Sequence, residues 1–122
     1  MGQIKIINFK TSVMVNEAHG SRKTRGASAY YMSPEALNYR FDPKGDIWSA
    51  GVIMYIMICG QPPFYGKDEN EVKSLASQSM LQFTHKTWNS VSEDAKMLLM
   101  QLLTKNAADR PTAAQALTHR WF

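Results

Sequence analysis

The sequence predicts a mainly α-helical domain with one short strand near its amino terminus. Residues 95–103 carry apolar side chains at the 3.6-residue spacing of a helix. Residues 47–59 form a continuous apolar run of the length expected for a buried helix. Residues 4–7 are short and mostly β-branched, which is typical of a strand. A chain of 122 residues can bury enough surface for one core, so we expect a single domain.

The first third of the chain is predicted to contain the strand, a long loop and a short helix. Ile4–Ile7 forms the strand. Residues 8–29 show no periodicity and are rich in Ser, Thr, Gly and basic residues, so they form a loop of a length that usually serves a function. Because proline fits the first position of a helix, Pro34 predicts a short helix that begins after Ser33.

The longest helix is predicted over Ile47–Ile58. Its residues are apolar on nearly every side, which predicts burial on every side. Trp48, Ile53 and Met57 are therefore expected in the core. Gly60 suits the carboxyl-terminal cap, and the two prolines that follow it prevent the helix from continuing.

Three further helices follow from capping signals and helical spacing. Asp68 and Glu71 have the spacing of a capping box at the start of the first, and Thr112 and Gln115 have it at the start of the last. The middle helix has the clearest apolar face in the chain. That face consists of Ala95, Leu98, Leu99, Leu102 and Leu103.

Net charge, cysteine count and the length of the apolar run exclude several classes of protein. The net charge is +4, and part of it comes from the basic cluster at residues 22–25. No aromatic residues are interleaved with that cluster, so it indicates either a solvated loop or a site for an anion or acidic partner rather than nucleic-acid binding. Cys59 is the single cysteine, which excludes a disulfide framework and favours a small buried side chain in a reducing compartment. The run at 47–59 is too short to span a bilayer, so we expect a cytoplasmic or nuclear protein.

Three motifs occur in an order that resembles a known family. They are Tyr30–Glu35, Asp46–Val52 and Ala108–Pro111. The order resembles the carboxyl-terminal lobe of a eukaryotic Ser/Thr protein kinase. Gly60–Phe64 matches the turn that follows the buried helix in that family. Trp88, Arg110-Pro111-Thr112 and the closing Trp121-Phe122 are similar to the calcium/calmodulin-dependent and calcium-dependent protein kinase branch. The resemblance implies a partial kinase domain over residues 1–122. Its metal-binding turn and activation segment would lie at 4–35 and its helical subdomain at 36–122.

The resemblance also implies roles for single residues. Glu35 and Arg110 would form a buried ion pair that holds the activation segment to the helices, because a guanidinium can bind a carboxylate through two hydrogen bonds. Asp46 would accept backbone N–H groups of the catalytic loop, and it also suits a helix amino terminus as an acid.

The activation segment is expected to carry the remaining candidates. Ser28 would take the place of the hydroxyl that contacts the catalytic aspartate. Tyr31 and Met32 would line the loop that docks the substrate. Thr24 would be the activating phosphorylation site, where a phosphate would meet the neighbouring basic residues; the alternative is a plain loop threonine.

The metal-binding turn departs from the family. The sequence reads Asn8-Phe9-Lys10 where active kinases have Asp-Phe-Gly. A neutral amide is a poorer ligand for Mg²⁺ than a carboxylate. The 122 residues also contain no glycine-rich phosphate loop and no His-Arg-Asp motif. We therefore expect a kinase fragment that binds no cofactor and transfers no phosphate by itself, whereas the complete parent would use ATP and Mg²⁺.

Two expectations concern partners. The alternative to a fragment of an active kinase is a pseudokinase-type module that binds proteins through the surface around residues 60–83.

In the family another long helix covers part of the helix at 46–59, and no such helix is expected here. An uncovered apolar face promotes association, so we predict a homodimer that exchanges the strand at residues 4–7 or the loop after it. Protein substrates or partners are expected, and neither nucleic acid nor a membrane is.

Overall fold

The computed structural model describes residues 2–14 and 28–122. Within these ranges the chain is helical, as predicted. Three short 3-10 helices, Phe9–Thr11, Ala29–Tyr31 and Lys86–Ser90, accompany the α-helices. The α-helices are α1 (Pro34–Leu37), α2 (Gly45–Cys59), α3 (Glu69–Gln78), α4 (Glu93–Leu102) and α5 (Ala113–Leu117).

Helix α2 lies at the centre of the fold and contacts α4 and the 3-10 helices at 29–31 and 86–90. Its predicted end is confirmed. Gly60 adopts φ 79°, a left-handed conformation that glycine tolerates because it lacks a Cβ atom. The Gly60 N–H donates to the Ile56 carbonyl at 2.7 Å, which closes the helix. The helix begins two residues earlier than the apolar run predicted, at Gly45.

The main core forms around Trp48, which is fully buried. Its indole stacks on the Phe64 ring with centroids 5.6 Å apart, so the loop after α2 folds back onto the first turn of that helix. A second cluster of buried residues consists of Tyr55, Trp88 and Leu99. The residues buried around Trp48 are Leu37, Val52, Phe64, Ala76 and Leu103.

Helices α2 and α4 approach closely at Gly51. A Cβ atom at this position would lie 2.8 Å from Leu102 Cβ, a distance that real Cβ contacts do not show. Because Gly51 has no side chain, the side chains of Leu102 and Leu103 can pack directly against the backbone of α2. All five residues of the predicted apolar face of α4 are buried, which confirms the helical spacing.

The two predicted capping boxes have different outcomes. At α5, Thr112 Oγ1 accepts from Gln115 N and Gln115 Oε1 accepts from Thr112 N, so the box is complete. At α3, Asp68 Oδ1 accepts from Glu71 N at 2.9 Å, but Glu71 Oε2 accepts from Lys67 N instead of the cap residue. Helix α3 therefore has only one of the two reciprocal hydrogen bonds of a capping box.

The predicted strand at Ile4–Ile7 is wrong. Residues 2–8 have no regular secondary structure, and Ile4 is 98% exposed. A strand needs a neighbour to pair its backbone groups, and none of the described residues pairs with this segment. The β-branched composition alone was not sufficient to form the element.

Burial of α2 on every side is also wrong. Trp48 is in the core as predicted, whereas Ile53 is 48% exposed and Met57 is 81% exposed. These two residues lie four positions apart and so share one side of the helix. Their exposure shows that no described element fully covers that side of α2. Among the described residues, no helix combines the length and apolar character needed to cross a bilayer.

Candidate functional site

The candidate site is organised by an ion pair between residues 75 positions apart in the chain. Arg110 Nη1 donates to Glu35 Oε1 at 2.7 Å, and Arg110 Nη2 donates to Glu35 Oε2 at 3.0 Å. The guanidinium thus binds both carboxylate oxygens, the geometry that makes such pairs strong and directional. The predicted Glu35–Arg110 pair is present in the structure.

The Arg110 side chain is buried, with the residue only 1% exposed, and its remaining donors are also satisfied. Nη1 donates to the Lys44 carbonyl at 2.7 Å, and Nε donates to the Thr104 carbonyl at 3.0 Å. The guanidinium carbon lies 5.2 Å from the centre of the Trp48 ring. A buried charge is tolerated when it is paired and hydrogen-bonded, and this arrangement meets both conditions. The arginine consequently ties α1, the start of α2 and the loop after α4 together.

Local sequence places Glu35 in the first turn of α1. Ser33 caps this helix, and its Oγ accepts from Ala36 N at 3.4 Å. Pro34 occupies the first helical position, as predicted. Leu37, two residues after Glu35, is buried in the core and so fixes the rotation of the helix. The carboxylate of Glu35 is thereby held toward Arg110.

The electrostatics keep Glu35 ionised. Burial alone would raise the pKa of its carboxyl group, but interactions with Arg110 and Ser33 outweigh it, and the pKa lies below the usual value of 4.5. The carboxylate is therefore charged at neutral pH, as the ion pair requires.

Asp46 is the second residue of α2 and takes no part in the ion pair. Its carboxylate is exposed and accepts a hydrogen bond from none of the described residues. It lines a cavity of about 150 Å³ together with Met32, Ser33, Asp42 and Ser49. An acid at the edge of an open cavity is available to accept donors from another segment, but the role predicted for Asp46 is not itself observed.

The predicted docking segment is held against α2. Ser49 Oγ donates to the Tyr31 carbonyl at 2.8 Å, and Met32 packs on the main core. The Tyr31 side chain is 42% exposed, and Ser28 is exposed at the start of this segment. The segment is thus anchored to α2, while the predicted docking residue Tyr31 and Ser28, which was predicted to contact the catalytic aspartate, are exposed to solvent.

A second anchor of this segment was missed by the sequence analysis. Tyr30 stacks on Tyr65 with ring centroids 5.8 Å apart, and its hydroxyl donates to the Gly66 carbonyl at 3.0 Å. Gly66 itself lies against the first turns of α3, where a Cβ atom would come within 2.6 Å of the Val72 nitrogen, so this position excludes a side chain. Tyr30 lies in the 3-10 helix Ala29–Tyr31 and Tyr65 in the loop after α2, and no periodic pattern links them.

The metal position does not fit Mg²⁺. Asn8 is exposed and has φ 66°, a left-handed conformation at the start of the 3-10 helix Phe9–Thr11. The part of the chain that the structure describes contains no group of three or more His, Cys, Asp or Glu side chains suited to a metal. A single amide oxygen is a weak ligand for a hard cation, so Asn8 fits Mg²⁺ poorly.

Two other predictions have different outcomes. Thr24 and the basic residues beside it lie outside the described residues. Cys59 is half-buried at the end of α2, and its thiol donates weakly to the Gln61 carbonyl at 3.4 Å.

Comparison with known proteins agrees with this arrangement. The protein kinase domain model matches residues 1–122. Calcium-dependent protein kinase 3 of Plasmodium berghei is 41% identical over 119 residues, which cover 98% of this chain and 22% of that protein. Calcium-dependent protein kinase 12 of Oryza sativa subsp. japonica and calcium-dependent protein kinase 8 of Arabidopsis thaliana are each 42% identical over the same share of both chains.

The chain belongs to the protein kinase family, and within it the chain is similar to calcium-dependent protein kinases. It spans about a fifth of the length of the curated relatives it matches. The resemblance drawn from the three motifs is confirmed at the level of the family and of this branch.

Proposed function

We propose that this chain forms the activation segment and helical subdomain of a Ser/Thr protein kinase. Residues 4–35 would supply the metal-binding turn and activation segment, and residues 36–122 the helical subdomain. The complete kinase would use ATP and Mg²⁺ to phosphorylate serine or threonine in proteins. The observation that carries this proposal is the two-bond contact of Glu35 with Arg110, since it fixes a substrate-docking segment to a helical support.

By itself the chain is proposed to be inactive. Phosphoryl transfer needs metal ions between the nucleotide phosphates and a base that orients the attacking hydroxyl. Asn8 and Lys10 replace the residues of the metal-binding turn, and the 122 residues contain no His-Arg-Asp motif. Ser28 would contact a catalytic aspartate that these residues do not supply.

A phosphotransfer assay tests this proposal. The purified chain is incubated with labelled Mg-ATP and a generic basic Ser/Thr peptide, and binding of Mg-ATP is measured by calorimetry. We expect no label in the peptide and no binding at micromolar concentrations. Label transfer that disappears in an Arg110→Ala control would refute the inactivity.

The alternative function is a pseudokinase-type module that binds other proteins. Asn8 in place of an aspartate favours it, because a parent without that carboxylate would bind Mg²⁺ weakly. The surface proposed for binding is the region of residues 60–83, where Tyr65 is 72% exposed and Met80 is 81% exposed. Large exposed apolar side chains of this kind often mark interaction sites.

Mutation distinguishes the two functions. A binding module keeps its partner when Ser28 or Thr24 is replaced by alanine, and loses it when Met80 is replaced by lysine. A substrate-docking lobe shows the opposite dependence. Pull-down of the wild type and the three variants at equal concentration separates these outcomes.

Three further points of the proposal rest on the sequence. Thr24 is proposed as a phosphorylation site, because a phosphate would meet the basic residues 22, 23 and 25. The protein is proposed to be cytoplasmic or nuclear, with protein partners and neither nucleic acid nor membrane as a ligand. Self-association through the exposed apolar side of α2 is also proposed.

A further inference from the structure

Lys105 occupies an unusual position for a lysine. It follows α4, and its Nζ atom is buried 3.9 Å from the centre of the Phe64 ring and 5.3 Å from that of Trp48. None of the described residues accepts a hydrogen bond from Nζ or forms an ion pair with it. The amino group therefore lies against two aromatic faces without an anion.

Two opposing effects act on the protonated form of Lys105. Removal of an ammonium ion from water is unfavourable unless it is paired. The faces of Phe64 and Trp48 offset part of that cost by attracting the cation. Burial is the larger effect and lowers the pKa of Lys105 from 10.5 to about 8. This lysine consequently changes its charge close to neutral pH.

The charged groups around the loop do not stabilise the ammonium. Arg110 stands over the same Trp48 ring and is itself a cation. Lys44 donates from Nζ to the Ala108 carbonyl at 3.0 Å and adds a further positive charge.

The acids nearby are already engaged. Glu35 accepts two hydrogen bonds from Arg110, and Asp109 accepts from the Asn106 amide at 2.8 Å. Phe64 and Trp48, the rings that cover Nζ, bring no charge of their own. Proton gain by Lys105 is thus opposed by burial, and none of the described carboxylates forms an ion pair with its Nζ atom.

We propose that Lys105 is a proton-sensitive switch in the core, which packs the loop at residues 103–110 more firmly on Trp48 and Phe64 when it is neutral and loosens that packing when it is charged. The Lys105 carbonyl also accepts from Arg110 Nη2 at 3.4 Å, so the same loop supports the Glu35–Arg110 pair. This proposal stands apart from the proposed function and does not depend on phosphotransfer.

The sign of the pH dependence follows from the two protonation states. In the unfolded chain Lys105 holds its proton up to about pH 10.5, and in the folded chain only up to about pH 8. Between these values the unfolded state binds more protons, so the free energy of unfolding increases as the pH rises. The stabilisation is lost again as the pH falls through about 8.

Thermal unfolding of the full chain tests the switch. We compare the wild type with Lys105→Met, which removes the charge, between about pH 6.5 and about pH 10. The midpoint of the wild type should rise relative to that of Lys105→Met across this range, and Lys105→Met should be the more stable at the lower end. Lys86→Met, a change at an exposed lysine, should parallel the wild type. Parallel curves for the wild type and Lys105→Met would overturn the proposal.

A direct titration serves as the second readout and needs no folded variant. Side-chain NMR of the wild type follows the Cε and Nζ signals of all lysines with pH. One lysine should titrate near pH 8, well before the rest. If every lysine titrates together near the value of a free side chain, Lys105 has no special role. Lys105→Arg, which stays charged, should be less stable than the wild type above about pH 8 and should lack the rise in stability with pH.

Discussion

Burial makes the Glu35–Arg110 pair different from the other ion pairs of the described chain. The Arg110 side chain is fully buried, whereas the Glu93 side chain of the Lys96–Glu93 pair is 81% exposed. Exposed pairs contribute little to stability because water screens them. A buried pair contributes through the penalty for breaking it, since the remaining charge loses its partner but stays out of water.

Glu35→Gln should therefore destabilise the fold strongly. The substitution leaves the Arg110 cation buried without an anion, and we expect the free energy of unfolding to fall by about 3–5 kcal/mol. Glu93→Gln is the matched control, with an expected loss of at most about 1 kcal/mol. Urea denaturation of both variants measures the difference. Equal losses would show that burial does not distinguish the two pairs.

Acid should weaken the same contact. Because the folded-state pKa of Glu35 is lowered below 4.5, the carboxylate stabilises the fold above the ordinary glutamate range, and this stabilisation is lost as the pH falls through the folded-state pKa. Unfolding of the wild type on acidification should show a component that Glu35→Gln lacks. Denaturant midpoints at a series of pH values from about 6 to about 3 provide the measurement. Identical pH profiles would contradict the assignment.

The sequence predicted the contacts of individual residues only where those residues belong to a recognisable motif. Glu35 and Arg110 were paired correctly across a long separation because each lies in a motif whose order resembled a family. The contacts of Lys105 and the stacking of Tyr30 on Tyr65 were missed, because a contact between a loop and a distant part of the chain follows no helical or alternating period. Such contacts depend on the path of the chain between elements, which local patterns do not specify.

At the scale of elements, apolar spacing predicted which segments form helices better than it predicted which sides of those helices are buried. The face of α4 was predicted residue by residue, and α2 was predicted to within two residues at its start. The strand at residues 4–7 failed because a strand requires a partner from elsewhere in the chain, whereas a helix satisfies its own backbone. The prediction that α2 is buried on every side was wrong for a related reason. Apolar composition does not specify which other elements are present to cover the helix.

The close approach of α2 and α4 gives a prediction at this scale. Gly51→Ala places a Cβ atom 2.8 Å from Leu102 Cβ and 3.1 Å from Leu103 Cδ2, so the helices must separate. Overpacking of this kind costs about 1–3 kcal/mol, more than the gain in helix propensity of alanine over glycine. Chemical denaturation should detect the loss. Gly2→Ala, where the new methyl group meets no atom within 4 Å, is the control and should be neutral.

At the scale of the whole molecule, the described residues expose apolar side chains on α2 and in the amino-terminal segment, in addition to the surface around residues 60–83. Ile53 and Met57 lie on the uncovered side of α2, and Met100 on α4 is 50% exposed. The amino-terminal segment exposes Ile4 and Ile6 at 98% and 81%. Soluble monomers rarely leave extended apolar patches uncovered. In a twofold dimer the segment of each copy can pack on the α2 side of the other, so that both surfaces are covered at once.

We therefore expect the chain to dimerise, and light scattering coupled to size exclusion measures the mass directly. Each apolar side chain fully removed from water contributes about 1.5–3 kcal/mol, so a few of them offset part of the entropy lost on association. Met57→Lys and Ile6→Lys should each shift the protein toward the monomer, because either change places a charge inside the contact. Tyr65→Lys, a change at an exposed aromatic outside both surfaces, should leave the dimer intact. A wild-type chain that stays monomeric at high concentration rules out this contact, and dissociation by Tyr65→Lys alone moves it to the surface around residues 60–83.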